Sequence, residues 1–265
     1  MAQPSTAPAK TTRLHHVVDG RGPRVVMLHP VGLDVSFLDP VAAELRQSFT
    51  VLRVDQRGHG GTPVGAPRRS LDDYADDVHD LLHALGFAPA AVIGFSFGGM
   101  IAQALALRHP GDVGALMICA CPSTLPPQAR EVAAARGDDA RRGGMAAVVE
   151  ATLDRWFTPE FRAHGLSDAT RAHLLAHDVE GWAQAWHAIA GVDTAPRLGE
   201  IRVPTLCVAG ERDKSSPPEI VKAIADAIPG ARYVVMPGAP HMLFMEQPRE
   251  FARIARDFLR GAAPG

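Results

Sequence analysis

The sequence predicts an α/β protein: a mostly parallel sheet flanked by helices, interrupted by one helical insertion. Three observations carry this. Short apolar, β-branched runs at residues 24–28, 50–54, 91–94, 115–119, 205–209 and 233–236 lack the alternation of half-exposed strands, as strands buried on both faces do. Helical periodicity lies between them, so β and α alternate along the chain. One interval breaks the rhythm: roughly 80 residues separate the run ending near Cys119 from the one starting near Val203, far more than a crossover needs.

In chain order, residues 1–13 are rich in Pro, Ala, Ser and Thr without an apolar stretch and are expected to fray. The first strand, 24–28, is bounded by Gly22-Pro23 and Pro30. Residues 71–85 form an amphipathic helix. Leu71, Tyr74, Ala75, Val78, Leu81, Leu82 and Leu85 make its apolar stripe, and Asp72, Asp73, Asp76, Asp77, Asp80 and two histidines fall off it. The helix after Ser96 has almost no polar face, so it should lie deep and stop at His109-Pro110. The insertion shows helical patterns near 145–156, 170–177 and 182–189, contains all three tryptophans and has no evident strand. The expected organisation is one core from 14–121 and 200–260, a helical cap over 122–199, and flexible tails at 1–13 and 261–265.

Composition narrows the function classes. The chain has 265 residues, 46% apolar and 21% charged, enough for one large α/β domain or two small ones, and too apolar for disorder. A net charge of −2 gives no reason to expect nucleic acid or an anionic membrane as partner. No run approaches the ~18 apolar residues of a membrane span. Cys119, Cys121 and Cys207 form no CxxC pair, which argues against a disulfide framework or zinc ribbon and for a reducing compartment. A cytoplasmic protein acting on a small molecule is expected, with room for a homo-oligomer.

The chemistry concentrates at Gly94-Phe95-Ser96-Phe97-Gly98-Gly99, between a predicted strand and a predicted helix. In that context G-x-S-x-G reads as a nucleophile elbow. The turn projects the serine, and the flanking small residues let the backbone close on itself. A serine hydroxyl needs a base, and the base needs an orienting acid. His241 follows the last predicted strand, and Asp213 follows the strand at 205–209. Both stand at carboxyl ends of strands, where open α/β sheets build sites, and the order Ser96, Asp213, His241 matches this fold. Glu211, two residues away, is the rival acid. For the oxyanion, the N–H of Phe97 is one donor. The second should come from His29-Pro30-Val31-Gly32, where Pro30 has no N–H and Val31 is the candidate.

Other histidines are read as structural. His29 shapes its loop, and 55–60 (D-Q-R-G-H-G) is a turn beside the site. His79 and His83 belong to a solvated helix face, and His173 and His177 have no acidic ligand nearby. No metal and no cofactor are expected.

Taken together, H-P-V-G, D-Q-R-G-H-G, G-F-S-F-G-G, G-E-R-D-K-S-S-P-P and A-P-H-M-L-F-M-E-Q-P resemble the α/β-hydrolase superfamily, from about residue 14 to 259. Within it, H-P-V-G-L-D and the segment 144–158 are similar to 3-oxoadipate enol-lactonases. The resemblance implies a cytoplasmic, cofactor-free enzyme that opens an enol-lactone in bacterial aromatic breakdown. It also implies Ser96, Asp213 and His241 as triad, Val31 and Phe97 as oxyanion donors, and Trp156 facing the substrate. One departure stands out. Related lactonases tend to have small or polar residues after the histidine, whereas this chain has Met242-Leu243-Phe244-Met245. Leu243 and Phe244 are therefore expected to wall the pocket and favour an apolar ester. A carboxylate-bearing lactone would instead want a cap arginine, from among Arg130, Arg136, Arg141, Arg142, Arg155 and Arg162. Trp182 and Trp186, four apart, are expected to be packing residues. Rival readings are a general carboxylesterase or perhydrolase, a C–C bond hydrolase, and a ligand sensor that retains the triad.

Overall fold

A computed structural model describes residues 14–65 and 70–262. Seven strands form one sheet in the order β1-β3-β2-β4-β5-β6-β7. They are β1 (His16–Gly20), β2 (Arg24–Leu28), β3 (Thr50–Val54), β4 (Ala90–Phe95), β5 (Val113–Cys119), β6 (Thr205–Gly210) and β7 (Arg232–Met236). Every pairing is parallel except β1 with β3. The sequence reading missed β1. As an edge strand it is only partly buried, so it lacks the apolar run that marks its neighbours.

Helices flank the sheet: α1 (Asp39–Leu45), α2 (Leu71–Ala84), α3 (Phe97–Arg108), α9 (Pro218–Ala227) and α11 (Pro248–Ala262). α3 lies against β2, β4 and β5 with α2 beside it; α9 lies against β6 and β7; α11 lies against β5 with α1 beside it. A capping box between Ser70 and Asp73 starts α2. Its apolar stripe is buried except Leu85, which falls beyond the helix end and is exposed. Asp77, placed off that stripe, is also buried. It takes a two-point ion pair from Arg57 at 2.8 and 2.5 Å, which compensates its desolvation.

His79 is partly exposed and His83 is exposed, so their helix face is solvated as expected, but the two rings share a buried partner. Both hydrogen-bond to the buried Asp112 carboxylate, at 2.6 and 2.8 Å, and His109 stacks on His79 at 3.9 Å. Donor atoms of His79, His109 and Asp112 lie within 4.8 Å of one another. The two rings are within 9° of parallel, so their in-plane lone pairs lie in separate planes rather than converging on one ion.

Between β5 and β6 the chain forms α4 (Pro127–Gly143), α5 (Val149–Trp156), α6 (Pro159–Ala163), α7 (Asp168–Ala176) and α8 (Val179–Ala190). We call residues 122–199 the cap, by position. Its two ends lie side by side: Thr194 N–H donates to the Ser123 carbonyl at 2.8 Å, and Thr124 bridges Asp193. α4 escaped the sequence reading because its buried face is Ala133, Gly137 and Ala140, small residues with little hydropathic signal. They let α8 approach so closely that a Cβ on Gly137 would sit 2.9 Å from the Ala183 carbonyl oxygen. A short helix, α10 (Leu243–Glu246), lies between β7 and α11. Of the expected tails, 1–13 and 263–265 lie outside the described residues, whereas 261 and 262 complete α11. Among the described residues no helix is long and apolar enough to cross a membrane.

Candidate active site

The parallel register sets the carboxyl ends of the central strands along one edge: Leu28 lies opposite Gly94, Phe95 opposite Cys119, and Cys119 opposite Val208. Ser96 leaves that edge between β4 and α3 with φ 51° and ψ −112°, a strained conformation for a residue bearing a Cβ. Close packing around the turn holds it there. A Cβ on Gly94 would lie 2.3 Å from the Gly98 carbonyl oxygen, and one on Gly98 would lie 2.2 Å from that of Leu28. The Ser96 N–H is tied to the Cys119 carbonyl at 2.8 Å.

Ser96 Oγ stands 3.0 Å from His241 Nε2, and His241 Nδ1 stands 2.8 Å from Asp213 Oδ2. All three residues are buried. The other oxygen of Asp213 accepts the N–H groups of Ser215 and Ser216 at 2.7 and 2.9 Å, which fixes the carboxylate against the imidazole. Glu211, the rival acid, is exposed and accepts the Gly238 N–H at 2.7 Å. The arrangement can withdraw a proton from Ser96 onto an imidazole whose tautomer is held by an acid.

The N–H groups of Val31 and Phe97 are taken up by no acceptor among the described residues. Their loops are anchored instead by His29. Its carbonyl accepts Gly98 N–H at 3.2 Å and Gln56 Nε2–H at 2.9 Å. Its ring bonds the Pro30 carbonyl at 2.7 Å and accepts Gln56 N–H at 3.2 Å. Burial lowers the His29 pKa to about 4, so the ring is neutral and can act as that acceptor. The three cysteines are buried, and burial raises all their thiol pKa values, so none competes as a thiolate.

A cavity of about 410 Å³ opens above Ser96 and His241. Val31, Met100 and Ser216 belong to its core-side wall, while Leu125, Val132, Trp156 and Ile189 belong to its cap side. Trp156 thus lines it, but Leu243 and Phe244 do not. The chain enters α10 immediately after His241, and both side chains are buried, with Phe244 4.2 Å from the Phe95 ring. That segment serves as a clasp to the cap. Met242 N–H donates to the Trp156 carbonyl at 3.0 Å, and Glu246 accepts the Thr158 N–H and hydroxyl at 2.7 and 2.8 Å.

Of the six candidate arginines, Arg136 alone lines the cavity. Arg141, Arg142 and Arg162 pair with Glu180, Asp139 and Glu150, and Arg130 donates to backbone carbonyls. Arg155 donates to Thr152 Oγ1 at 3.3 Å. The Arg136 guanidinium carbon lies 4.6 Å from the Trp186 ring centre. Burial, then the charge of Arg155, lower its pKa to about 10. Trp182 and Trp186 divide their roles. Trp182 is fully buried and bonds the Arg136 carbonyl at 3.1 Å. Trp186 lines the cavity with its indole N–H buried and unpartnered among the described residues. Only the arrangement of α4 against α8 reveals that.

Comparison with known proteins agrees with this architecture. Residues 23–248 match the family described as alpha/beta hydrolase fold. A pimeloyl-[acyl-carrier protein] methyl ester esterase of Chromobacterium violaceum is 32% identical, over 92% of this chain and 97% of its own. A 3-oxoadipate enol-lactonase of Acinetobacter baylyi is 27% identical, over 90% and 89%. The crystal structure of an enol-lactonase from Burkholderia xenovorans superposes with a TM-score of 0.90 at 33% identity, covering 96% of this chain and 99% of that one.

Proposed function

This chain belongs to the alpha/beta hydrolase family, and from that premise we propose that it is a serine hydrolase of small carboxylic esters or lactones, working through an acyl-enzyme. The observation that carries the proposal is the continuous set of contacts from Ser96 through His241 to Asp213 on the floor of the cavity. His241 takes the Ser96 proton as Oγ attacks the carbonyl carbon. The N–H groups of Val31 and Phe97 receive the developing oxyanion, each such donor being worth roughly 2.7–4 kcal/mol of barrier. His241 then protonates the leaving oxygen, activates water against the acyl group and returns the proton to Ser96. Asp213 holds the tautomer and stabilises the imidazolium. No step requires a cofactor.

The finer reading is a substrate that carries a free carboxylate, of which 3-oxoadipate enol-lactone is an example. Arg136 supports it: a guanidinium in the cavity wall with no acid partner among the described residues, stacked near Trp186, offers N–H donors to an acceptor on the substrate. A purely apolar ester would give that guanidinium no acceptor. The reading also includes a cytoplasmic setting and a small-molecule substrate as the partner.

The direct test is turnover of p-nitrophenyl acetate, with mass spectrometry of the quenched enzyme to find an acetyl group on Ser96. Ser96→Ala should lose on the order of 10³-fold or more of that turnover while staying folded. Retained turnover sinks the nucleophile assignment. A single slow turnover with a trapped acyl group would instead favour the ligand-sensor reading.

A further inference from the structure

Four histidines from both sides of the cap–core junction form one packed column, and none has a part in the proposed chemistry. His29 leads into the oxyanion loop and His59 belongs to the turn after β3. His173 lies on α7, and His177 ends it. Ring centres are 5.2 Å apart for His29 and His59, 4.8 Å for His59 and His177, and 6.3 Å for His173 and His177. His59 also stands 6.0 Å from the ring of Phe97, and His177 stands 6.4 Å from that of Trp182. The column therefore runs from the oxyanion residues into the cap.

The Nε2 atoms of His59, His173 and His177 are buried without a partner among the described residues. A neutral ring can leave a lone pair bare at modest cost, whereas an imidazolium must place a second charged N–H. His59 already commits Nδ1 to the Arg57 carbonyl at 3.0 Å. The carboxylates that face the column are engaged elsewhere. Asp55 accepts Val35 N–H, Gly61 N–H and the His15 ring. Asp34 accepts from Ser36, and Asp178 accepts Gly181 N–H. Their closest approaches to the column are 3.8 Å from Asp34 to His173 and 4.0 Å from Asp55 to His29. The nearby cation, Arg57, is bound to Asp77. Backbone contact at the same seam is tight, since a Cβ on Gly181 would lie 2.2 Å from the Gly58 carbonyl oxygen.

We infer that this column is an acid-sensitive latch: it seats α7 and the start of α8 on the turn after β3 while the buried rings of His29, His59 and His177 are neutral, and their protonation releases the cap and loosens the oxyanion loop. Burial lowers the pKa of His29 and His177 to about 4, and burial followed by the charge of His177 and His29 lowers that of His59. Released side chains return toward about 6.5. The open form therefore binds more protons between those values. The closed form has its full advantage above about pH 6.5 and loses it as the pH falls toward 4.

Hydrogen–deuterium exchange on the full chain, corrected for intrinsic rates, reads this without reference to catalysis. Protection in residues 168–190 and 29–33 should fall about tenfold or more from pH ~7.5 to ~5, while β4 and β5 hold theirs. His177→Gln should reduce that difference to under about threefold. His59→Gln should reduce it in the same direction and serves where the first variant does not fold. Equal protection of 168–190 at both pH values overturns the latch. So does an unchanged difference in both variants, or loss of protection in cap and sheet together.

Discussion

The guanidinium of Arg136 rests 4.6 Å from the ring centre of Trp186, and both residues line the cavity above Ser96. Stacking on the ring fixes the guanidinium plane without using its N–H groups, leaving them for a ligand. Arg136→Gln should raise KM for carboxylate-bearing esters by about 10- to 100-fold, corresponding to the ~1.5–3 kcal/mol of a charged hydrogen bond. Esters without a carboxylate should change by less than about threefold. Equal losses on both classes would show that Arg136 only supports the cap.

The acid partner of His241 is tested by a pair of substitutions. Asp213→Asn should lower kcat by about 10⁴ through the wrong tautomer, while Glu211→Gln should stay near wild type, because Glu211 is exposed and accepts the Gly238 N–H rather than facing His241. The opposite ranking in a steady-state assay would move the role to Glu211.

Backbone contact seats the cap at Gly58 and Gly181. Gly181→Ala forces a methyl group against the Gly58 carbonyl and should cost about 1–3 kcal/mol of overpacking. Calorimetry should show a lowered Tm, and exchange of residues 168–190 should quicken more than that of the sheet. An unchanged Tm would mean the two segments part without cost.

Asp112 gives a stability prediction with a definite sign. Burial alone would raise its pKa, but hydrogen bonds from His79 and His83 outweigh it and hold the carboxyl below its usual value. The folded state is thereby favoured above the ordinary carboxylate pKa, and the advantage disappears as pH falls through the lowered one. Asp112→Asn should lower Tm at neutral pH and flatten the dependence of Tm on pH below about 4. Parallel curves for the two proteins would remove Asp112 from acid stability.

The elbow was legible because its constraints are local: Gly94 and Gly98 close on backbone within a few residues of Ser96. The strands β2 to β7 were legible from short apolar, β-branched runs, even β7, an edge strand that is only partly buried rather than buried on both faces. β1 and α4 were not, since β1 (H-V-V-D-G) has only two apolar residues and α4 packs through alanine and glycine, so both carry little hydropathic contrast. Leu243 and Phe244 were misplaced for a related reason. An apolar side chain close to His241 can face cavity or core equally well, and the short α10 has no period to choose between them.

What the sequence determined by itself is the set of features in which a few neighbouring residues constrain one another: the α/β alternation, the strained serine, and the turns that carry Asp213 and His241. Tertiary structure alone decided which acid meets the imidazole, which of six arginines turns inward, and which of two tryptophans lines the cavity. Those outcomes depend on how α4 and α8 rotate about one another and how the loop after β6 bends. Contacts between segments far apart in the chain set both, and no short stretch of sequence records them.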